Sequence, residues 1–113
     1  MIWIYLISEG KKQSLPAGPG AWEKAFSNDL FQYGINVNAL APGYMDTEMN
    51  AALKDPAHPR YSRQRYEEIT QRIPAHRWGT GDDMKGPCLF LASHASDYLG
   101  GAVIPIDGGY LVM

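Results

Sequence analysis

The sequence has no long hydrophobic run and no cysteine pair, and each absence excludes a class of protein. The apolar start, residues 1–7, is too short to cross a bilayer, and it lacks the charged start and the small-residue cleavage site of a signal peptide. The single cysteine, Cys88, cannot form an internal disulfide, which favours a buried thiol in a reducing compartment. We therefore expect a cytoplasmic protein that does not bind a membrane.

Charge of one sign is also lacking. The 10 basic and 12 acidic side chains are mixed along the chain and give a net charge of −2, so no basic stripe is available to follow a phosphate backbone. The three histidines, His58, His76 and His94, lie far apart and have no acidic or cysteine partners at ligand spacing. We expect neither nucleic-acid binding nor a metal site. A chain of 113 residues with 45% hydrophobic side chains fits a small domain or a part of a larger one.

The first third of the chain predicts a strand, a linker and a helix. Residues 1–7 are rich in Ile, Trp and Tyr, as strands are, and a segment rich in proline and glycine follows up to residue 20. From residue 21 the apolar side chains recur at helical spacing, and Gly34 is a natural C-cap. The apolar face of this helix consists of Trp22, Ala25, Phe26, Leu30 and Tyr33.

The rest of the chain continues the alternation. Residues 35–41 predict a strand that is buried on both faces, and residues 62–72 predict a short helix. Thr80 starts another helix, whose apolar run at 88–92 is typical of a helix covered by partners. Residues 102–106 predict a last strand.

Pro105 in the last strand favours a sheet edge, because proline cannot donate to a neighbouring strand. Two strands joined by a helical crossover form a right-handed parallel unit. Two such strands are not a viable sheet alone, so the pattern requires further strands.

Several motifs carry a resemblance to a known family. Residues 33–47 resemble the sixth strand and following loop of short-chain dehydrogenases/reductases. The segments 72–79, 90–93 and 107–109 follow in the order and spacing of that family. Within it, the chain is most similar to the branch of 2-deoxy-D-gluconate 3-dehydrogenase and gluconate 5-dehydrogenase.

This resemblance implies an α/β fold that is a partial Rossmann-like doubly wound parallel sheet, with the C-terminal strands and helices only. Residues 21–113 would be the C-terminal half of the domain, and residues 1–20 a non-matching N-terminal segment. The implied partners are NAD or NADP and a small-molecule substrate, a sugar acid or polyol with a secondary alcohol. The resemblance also implies a homo-oligomer formed through the last helix and strand.

The resemblance implies four cofactor-binding residues: Pro42, Gly43, Met45 and Thr47. Pro42 and Gly43 let the backbone approach the nicotinamide, at the carboxyl end of the strand where open α/β sheets bind ligands. The Met45 backbone would pair with the carboxamide, and the Thr47 hydroxyl would reach the same group or the pyrophosphate. The alternative is that Pro42–Gly43 is only a turn and Thr47 only a helix cap.

The residues of the family's acid–base chemistry are missing. No tyrosine has a lysine four positions later, and Tyr61 with Arg65 comes nearest. The glycine-rich phosphate loop is also missing, since Gly18-Pro19-Gly20 reads as a linker. We therefore assign no catalytic residue and expect weak or absent dinucleotide binding.

The long segment 44–74 leaves two interpretations open. In one interpretation its arginines would form ion pairs with a substrate carboxylate. In the other they form a solvated helix face balanced by Glu67 and Glu68. Trp78 lines a substrate pocket or anchors the loop, and we favour the anchor. The arginines in and near this segment are Arg60, Arg63, Arg65, Arg72 and Arg77.

Three functional hypotheses remain: a part of an NAD(P)-dependent oxidoreductase that is inactive alone, a non-catalytic fragment that associates with intact subunits, and a truncated gene product. The substrate and the choice between NAD and NADP stay open.

Overall fold

The computed structural model describes residues 2–6, 21–59 and 61–112 of the 113-residue chain. The strands are β1 (Ile2–Leu6), β2 (Asn36–Pro42) and β3 (Val103–Ile106). The helices are α1 (Ala21–Leu30), α2 (Glu48–Ala51), α3 (Arg63–Arg72) and α4 (Gly81–Leu91). The predicted linker glycines at 18–20 and Arg60 lie outside the described residues.

The strands form one parallel sheet in the order β1-β2-β3. This confirms the predicted α/β class, the parallel unit and the strand predicted within residues 1–7. Among the described strands β3 lies at an edge, as Pro105 predicted. The pairing of β1 with β2 was not predicted, and it means that the segment before residue 21 contributes a strand to the sheet.

The central strand β2 is the most buried part of the described chain. Its residues Val37, Asn38, Ala39 and Leu40 are all at most 7% exposed, which confirms a strand that is covered on both faces. Helix α1 packs on β2, and α4 contacts both β2 and β1. The sheet therefore has β2 as its core strand.

Two asparagines of β2 attach the loop that leads to β3. The buried Asn38 side chain donates to the Leu99 carbonyl oxygen at 3.0 Å and accepts from the Ala102 backbone N–H at 3.0 Å. The Asn36 amide donates to the carbonyl oxygens of Ser96 and Asp97, at 3.1 Å each. These contacts satisfy a buried carboxamide, which would otherwise cost desolvation free energy.

Helix α1 exists as predicted, and Gly34 caps the 3-10 turn that follows it, with a φ of 72°. The predicted apolar face, however, is wrong as a core face: Trp22 and Phe26 are 44% and 49% exposed, and Tyr33 is 71% exposed. The buried side consists instead of Glu23 and Ser27. The reason is the close approach of Gly100, where an added Cβ would lie 2.7 Å from the Phe31 ring.

Helix α4 begins after Thr80, as predicted, but its apolar run is not covered as predicted. Leu91 is 1% exposed, whereas Leu89 is 72% and Phe90 is 42% exposed. Helix α4 contacts β2 and β1, and the described elements bury Leu91 but leave Leu89 and Phe90 largely open. No described helix is long and apolar enough to cross a membrane.

Candidate functional site

The loop 43–47 leaves the carboxyl end of β2 and is fixed at its start by the turn after β3. The Gly43 backbone N–H donates to the Ile106 carbonyl oxygen at 3.1 Å. A Cβ on Gly43 would lie 2.6 Å from the Asp107 Cβ, closer than side chains approach each other. The glycine is therefore required for packing inside the chain, independently of any ligand.

A short bridge to Gly79 fixes the middle of this loop. The Asp46 N–H donates to the Gly79 carbonyl oxygen at 2.7 Å, and the Gly79 N–H donates to the Tyr44 carbonyl oxygen at 2.9 Å. In a parallel bridge of this kind, the residue between the acceptor (Tyr44) and the donor (Asp46) of one strand has its own N–H and C=O pointing away from the partner residue. The N–H and C=O of Met45 are thus directed away from Gly79.

Thr47 stands at the N-cap position of α2, but its side chain does not cap the helix. Its carbonyl oxygen accepts from Asn50 and Ala51, and its hydroxyl forms no capping hydrogen bond. The residue is exposed. Thr47 therefore occupies the N-cap position without a capping hydrogen bond to its hydroxyl. The alternative that Thr47 serves only as a helix cap is not supported.

Four aromatic residues, Tyr44, Tyr66, Trp78 and Tyr110, form an aromatic cluster behind the loop. The Trp78 ring stacks on Tyr66 with centroids 5.0 Å apart and lies 5.4 Å from Tyr44. Tyr110 meets Tyr44 edge to face at 5.2 Å. Trp78 is 4% exposed, and its Nε1 donates to Thr70 Oγ1 at 2.9 Å, which confirms the predicted anchor.

A lysine and a tyrosine also meet beside this loop, although they do not have the Tyr-x-x-x-Lys spacing of the family. Lys54 Nζ lies 4.9 Å from the centroid of the Tyr66 ring and 2.5 Å from Asp46 Oδ2. The hydrogen bond to Asp46 is the main cause that raises the pKa of Lys54. Because Asp46 pairs with the ammonium, Lys54 ties the turn after α2 to the loop 43–47 and to α3, and it is not arranged as an acid–base pair with Tyr66.

The arginines of the described segment are mostly solvated. Arg63 pairs with Glu67 at 2.7 Å on an exposed helix face, and Arg65 is exposed as well. The solvated interpretation therefore holds for both. Arg72 differs, because its guanidinium lies 5.9 Å from the Tyr110 ring, beside the aromatic cluster.

Arg77 has a structural role at the start of α4. Its two terminal nitrogens donate to the two carboxylate oxygens of Asp83, at 2.8 and 2.7 Å, and Asp83 also accepts from the Thr80 N–H at 2.7 Å. These bonds, that of Arg77 first, hold the pKa of Asp83 well below its ordinary value. The clamp orders the chain next to Gly79.

The turn 107–109, which we expected at a subunit contact, packs within the chain. Asp107 accepts from the N–H groups of Gly109 and Leu111, at 2.9 and 3.0 Å. Gly108 has a φ of 64°, and its carbonyl oxygen accepts from the Ala75 N–H at 3.0 Å. Hydrogen bonds within the chain thus fix the conformation of this turn, and its part in an oligomer stays a prediction.

In the structure Pro42 is the last residue of β2, and Gly43, Met45 and Thr47 follow it on the loop at the carboxyl end of that strand. The Met45 peptide is directed away from Gly79, and the Thr47 hydroxyl makes no capping hydrogen bond. Within the described residues no group of three or more His, Cys, Asp or Glu side chains is arranged to hold a metal ion.

Some parts of the site were missed by the sequence interpretation. Asn50 donates from its side chain to the Met45 carbonyl oxygen at 2.7 Å, and Gly79 supports the same residue. The only signal for Asn50 was an amide side chain one turn after Thr47. The signal for Gly79 was its place at the end of the Arg72–Gly79 motif.

Residues 17–111 match the protein family described as enoyl-(acyl carrier protein) reductase. A similar curated protein is the 2-dehydro-3-deoxy-D-gluconate 5-dehydrogenase of Bacillus subtilis, which is 46% identical over 88 residues, 78% of this chain and 32% of that protein. The enzyme of the same name from Escherichia coli is 48% identical over the same shares. The chain thus spans about a third of the length of these relatives.

Solved structures give the same result. The gluconate 5-dehydrogenase of Burkholderia cenocepacia, in complex with NADP and tartrate, matches with a TM-score of 0.77 and 33% identity. The match covers 99% of this chain and 45% of that one. The similarity to the sugar-acid branch, inferred from the Arg72–Gly79 segment, is confirmed by these comparisons.

Proposed function

The chain belongs to the short-chain dehydrogenase/reductase family, and from this premise we propose that residues 21–113 are the C-terminal half of an NAD(P)-dependent oxidoreductase domain. The parent activity is the oxidation or reduction at a secondary alcohol of a sugar acid or polyol. The chain supplies the wall that meets the nicotinamide end of the cofactor. By itself it is inactive.

One observation supports the cofactor role: the loop 43–47 presents the Met45 N–H and the Thr47 hydroxyl, which make no hydrogen bond to another described residue, next to the Met45 carbonyl oxygen, which accepts from Asn50. The bridge to Gly79 turns the Met45 peptide outward, and Thr47 keeps its hydroxyl out of the helix cap. A nicotinamide carboxamide offers two N–H donors and one acceptor, which complement a backbone C=O and N–H. When bound, the cofactor supplies the hydride acceptor or donor.

Two observations support a sugar-acid substrate. The similar enzymes are named for gluconate and its keto-deoxy derivative, and the similar structure holds tartrate, also a hydroxy acid. Arg72 lies beside the aromatic cluster, 5.9 Å from the Tyr110 ring, and unlike Arg77 it is not paired with Asp83, so we propose its guanidinium as the partner of a substrate carboxylate. The similar structure holds NADP, which favours that cofactor.

Inactivity follows from the missing acid–base pair. Among the described residues beside the loop, Lys54 meets a tyrosine, Tyr66, but its ammonium charge is paired with Asp46. A general base needs an adjustable proton within reach of the substrate, and neither group is arranged to provide it. We also propose the cytosol as the compartment, on the basis of the single cysteine.

The experiment is a titration of the isotope-labelled chain with NADP, followed by backbone NMR. We expect shifts in residues 43–47 with weak affinity, because the helix N-terminus that binds the pyrophosphate in Rossmann domains is not among these elements. Thr47→Val should weaken binding about three- to tenfold, the effect of one net hydrogen bond, and Thr47→Ser should preserve it. Absence of any shift in residues 43–47 contradicts the proposal, and so does steady turnover of gluconate with NADP.

A second candidate function is a non-catalytic subunit that associates with intact relatives through α4 and β3. The exposed apolar side chains of Leu89 and Phe90 favour it. Co-expression with the Escherichia coli relative tests this, since a mixed complex should form and should be lost on Leu89→Lys. Gel filtration that shows only separate species would exclude this role.

A further inference from the structure

The carbonyl group of Met45 is already in contact with an amide. The Asn50 Nδ2 donates to the Met45 carbonyl oxygen at 2.7 Å, and both residues are half-buried. The Asn50 backbone N–H is held by the Thr47 carbonyl oxygen at 2.9 Å. The first turn of α2 therefore directs the Asn50 side chain back onto the loop that precedes it.

The chemistry of this contact matches that of the ligand end we assigned to the loop. An asparagine side chain ends in a planar primary carboxamide, and nicotinamide carries the same group. A hydrogen bond of 2.7 Å lies at the short end of the range for N–H to O bonds, so this direction of approach to the oxygen is filled. A second amide nitrogen cannot take the same position at the same time.

We propose that the Asn50 side chain occupies the place of the nicotinamide carboxamide on the Met45 carbonyl oxygen, and that a bound nicotinamide displaces it. This inference rests on the proposed function, since it requires that the nicotinamide end meets Met45. Asn50 is a positioning residue of the ligand-free loop, because it satisfies the half-buried carbonyl until the ligand arrives. Its removal therefore removes a competitor.

The test uses two probes that differ only in the group at issue. Nicotinamide mononucleotide carries the carboxamide, and nicotinic acid mononucleotide has a carboxylate, which cannot donate. Each is titrated into the full chain and into Asn50→Ala, with NMR shifts of residues 43–47 as the readout. Asn28→Ala is the matched control, because the Asn28 amide bonds only the exposed neighbour Asp29 in α1.

We expect Asn50→Ala to bind nicotinamide mononucleotide about three- to tenfold more tightly than the unmodified chain, the effect of one competing hydrogen bond. The affinity for nicotinic acid mononucleotide should not rise, and Asn28→Ala should leave both affinities unchanged. Equal or weaker binding of the nicotinamide probe by Asn50→Ala overturns the inference, since a merely structural Asn50 would loosen the loop and weaken both probes.

A second measurement needs no substitution. The side-chain amide protons of Asn50 should exchange slowly in the free chain and faster when nicotinamide mononucleotide is saturating. Unchanged exchange together with shifts in residues 43–47 would overturn the displacement and leave the proposed function intact. Absence of shifts in residues 43–47 with either probe would overturn both.

Discussion

The loop region and the surfaces of α1 and α4 differ in how much of their apolar surface the described chain covers. Around the loop 43–47, the aromatic cluster, the bridge to Gly79 and the turn at Asp107 connect segments that are far apart in sequence. On α1 and α4, in contrast, the side chains of Trp22, Phe26, Leu89 and Phe90 lie open to solvent. We call these four residues the open faces.

This difference shows which part of a Rossmann-like domain is packed by the residues of this chain alone. The loop 43–47 has packing partners among the described residues 61–112, whereas the side chains of the open faces stay 42–72% exposed among the described residues. Each large apolar side chain left in water forfeits about 1.5–3 kcal/mol of burial free energy. A whole domain is stable by only about 5–15 kcal/mol, so a few such losses weigh heavily.

The largest expected effect compares two tryptophans. Trp78→Ala should lower the free energy of unfolding by about 3–5 kcal/mol, because it empties the buried centre of the aromatic cluster. Trp22→Ala on the open faces should cost about 1 kcal/mol or less, since it loses only the ring contact with Phe26. Urea unfolding monitored by circular dichroism measures both, and similar costs would contradict the difference between the regions.

The open faces should also decide the state of association. We expect the purified chain to form concentration-dependent oligomers in analytical ultracentrifugation, and Leu89→Lys with Phe26→Lys to shift it towards monomer. Gln64→Lys, which adds one such charge on the polar surface of α3, is the control and should change nothing. A monodisperse monomer with one cooperative melt would show that residues 1–20 complete the cover, and the half-domain proposal would fail.

Two glycines test the loop region at a smaller scale. Gly43→Ala should destabilise the chain by about 1–3 kcal/mol, because the new methyl group meets the Asp107 backbone and side chain. Gly86→Ala lies inside α4 with open space around it and should stabilise by about 0.5–1 kcal/mol. Thermal melts of the two variants should move in opposite directions, and a neutral Gly43→Ala would refute the close packing.

The smallest effect is a dependence on pH from the clamp at the start of α4. The pKa of Asp83 is lower in the folded chain than its ordinary value of about 3.9, so the folded state holds the proton less tightly. Its contribution is present above that ordinary value and is lost as the pH falls through the folded pKa. Asp83→Asn should reduce the acid dependence of the melting temperature below pH 4, and it should do so more than Asp82→Asn, whose carboxylate pairs with exposed Lys85.

The sequence predicted the elements well because their signals are local. Gly34, Ser62, Thr80 and Pro105 mark helix ends and a sheet edge through their own backbone or capping properties. The parallel sheet followed from the order of the elements. The family resemblance supplied the candidate loop 42–47, which periodicity alone would have left as a turn.

The orientation of α1 and the ties of the loop could not be predicted in this way. Trp22 and Phe26 have the spacing of a core face, but Gly100 brings another segment onto the opposite side, where Ser27 lies. The Asn50 contact depends on how a four-residue helix turns back, and no periodic pattern records that. The packing of distant segments therefore decides the orientation of such elements, and it can override the preference that the local sequence indicates.

The two asparagines of β2 act as an alignment key for the sheet. A slip of one residue between β2 and β3 would turn Asn38 away from Leu99 and Ala102 and strand its carboxamide in the core. A shifted pairing of β2 with β3 is thereby penalised by a side chain of β2 itself. Residues 36–106 consequently contain side chains that select the correct register of their own two strands.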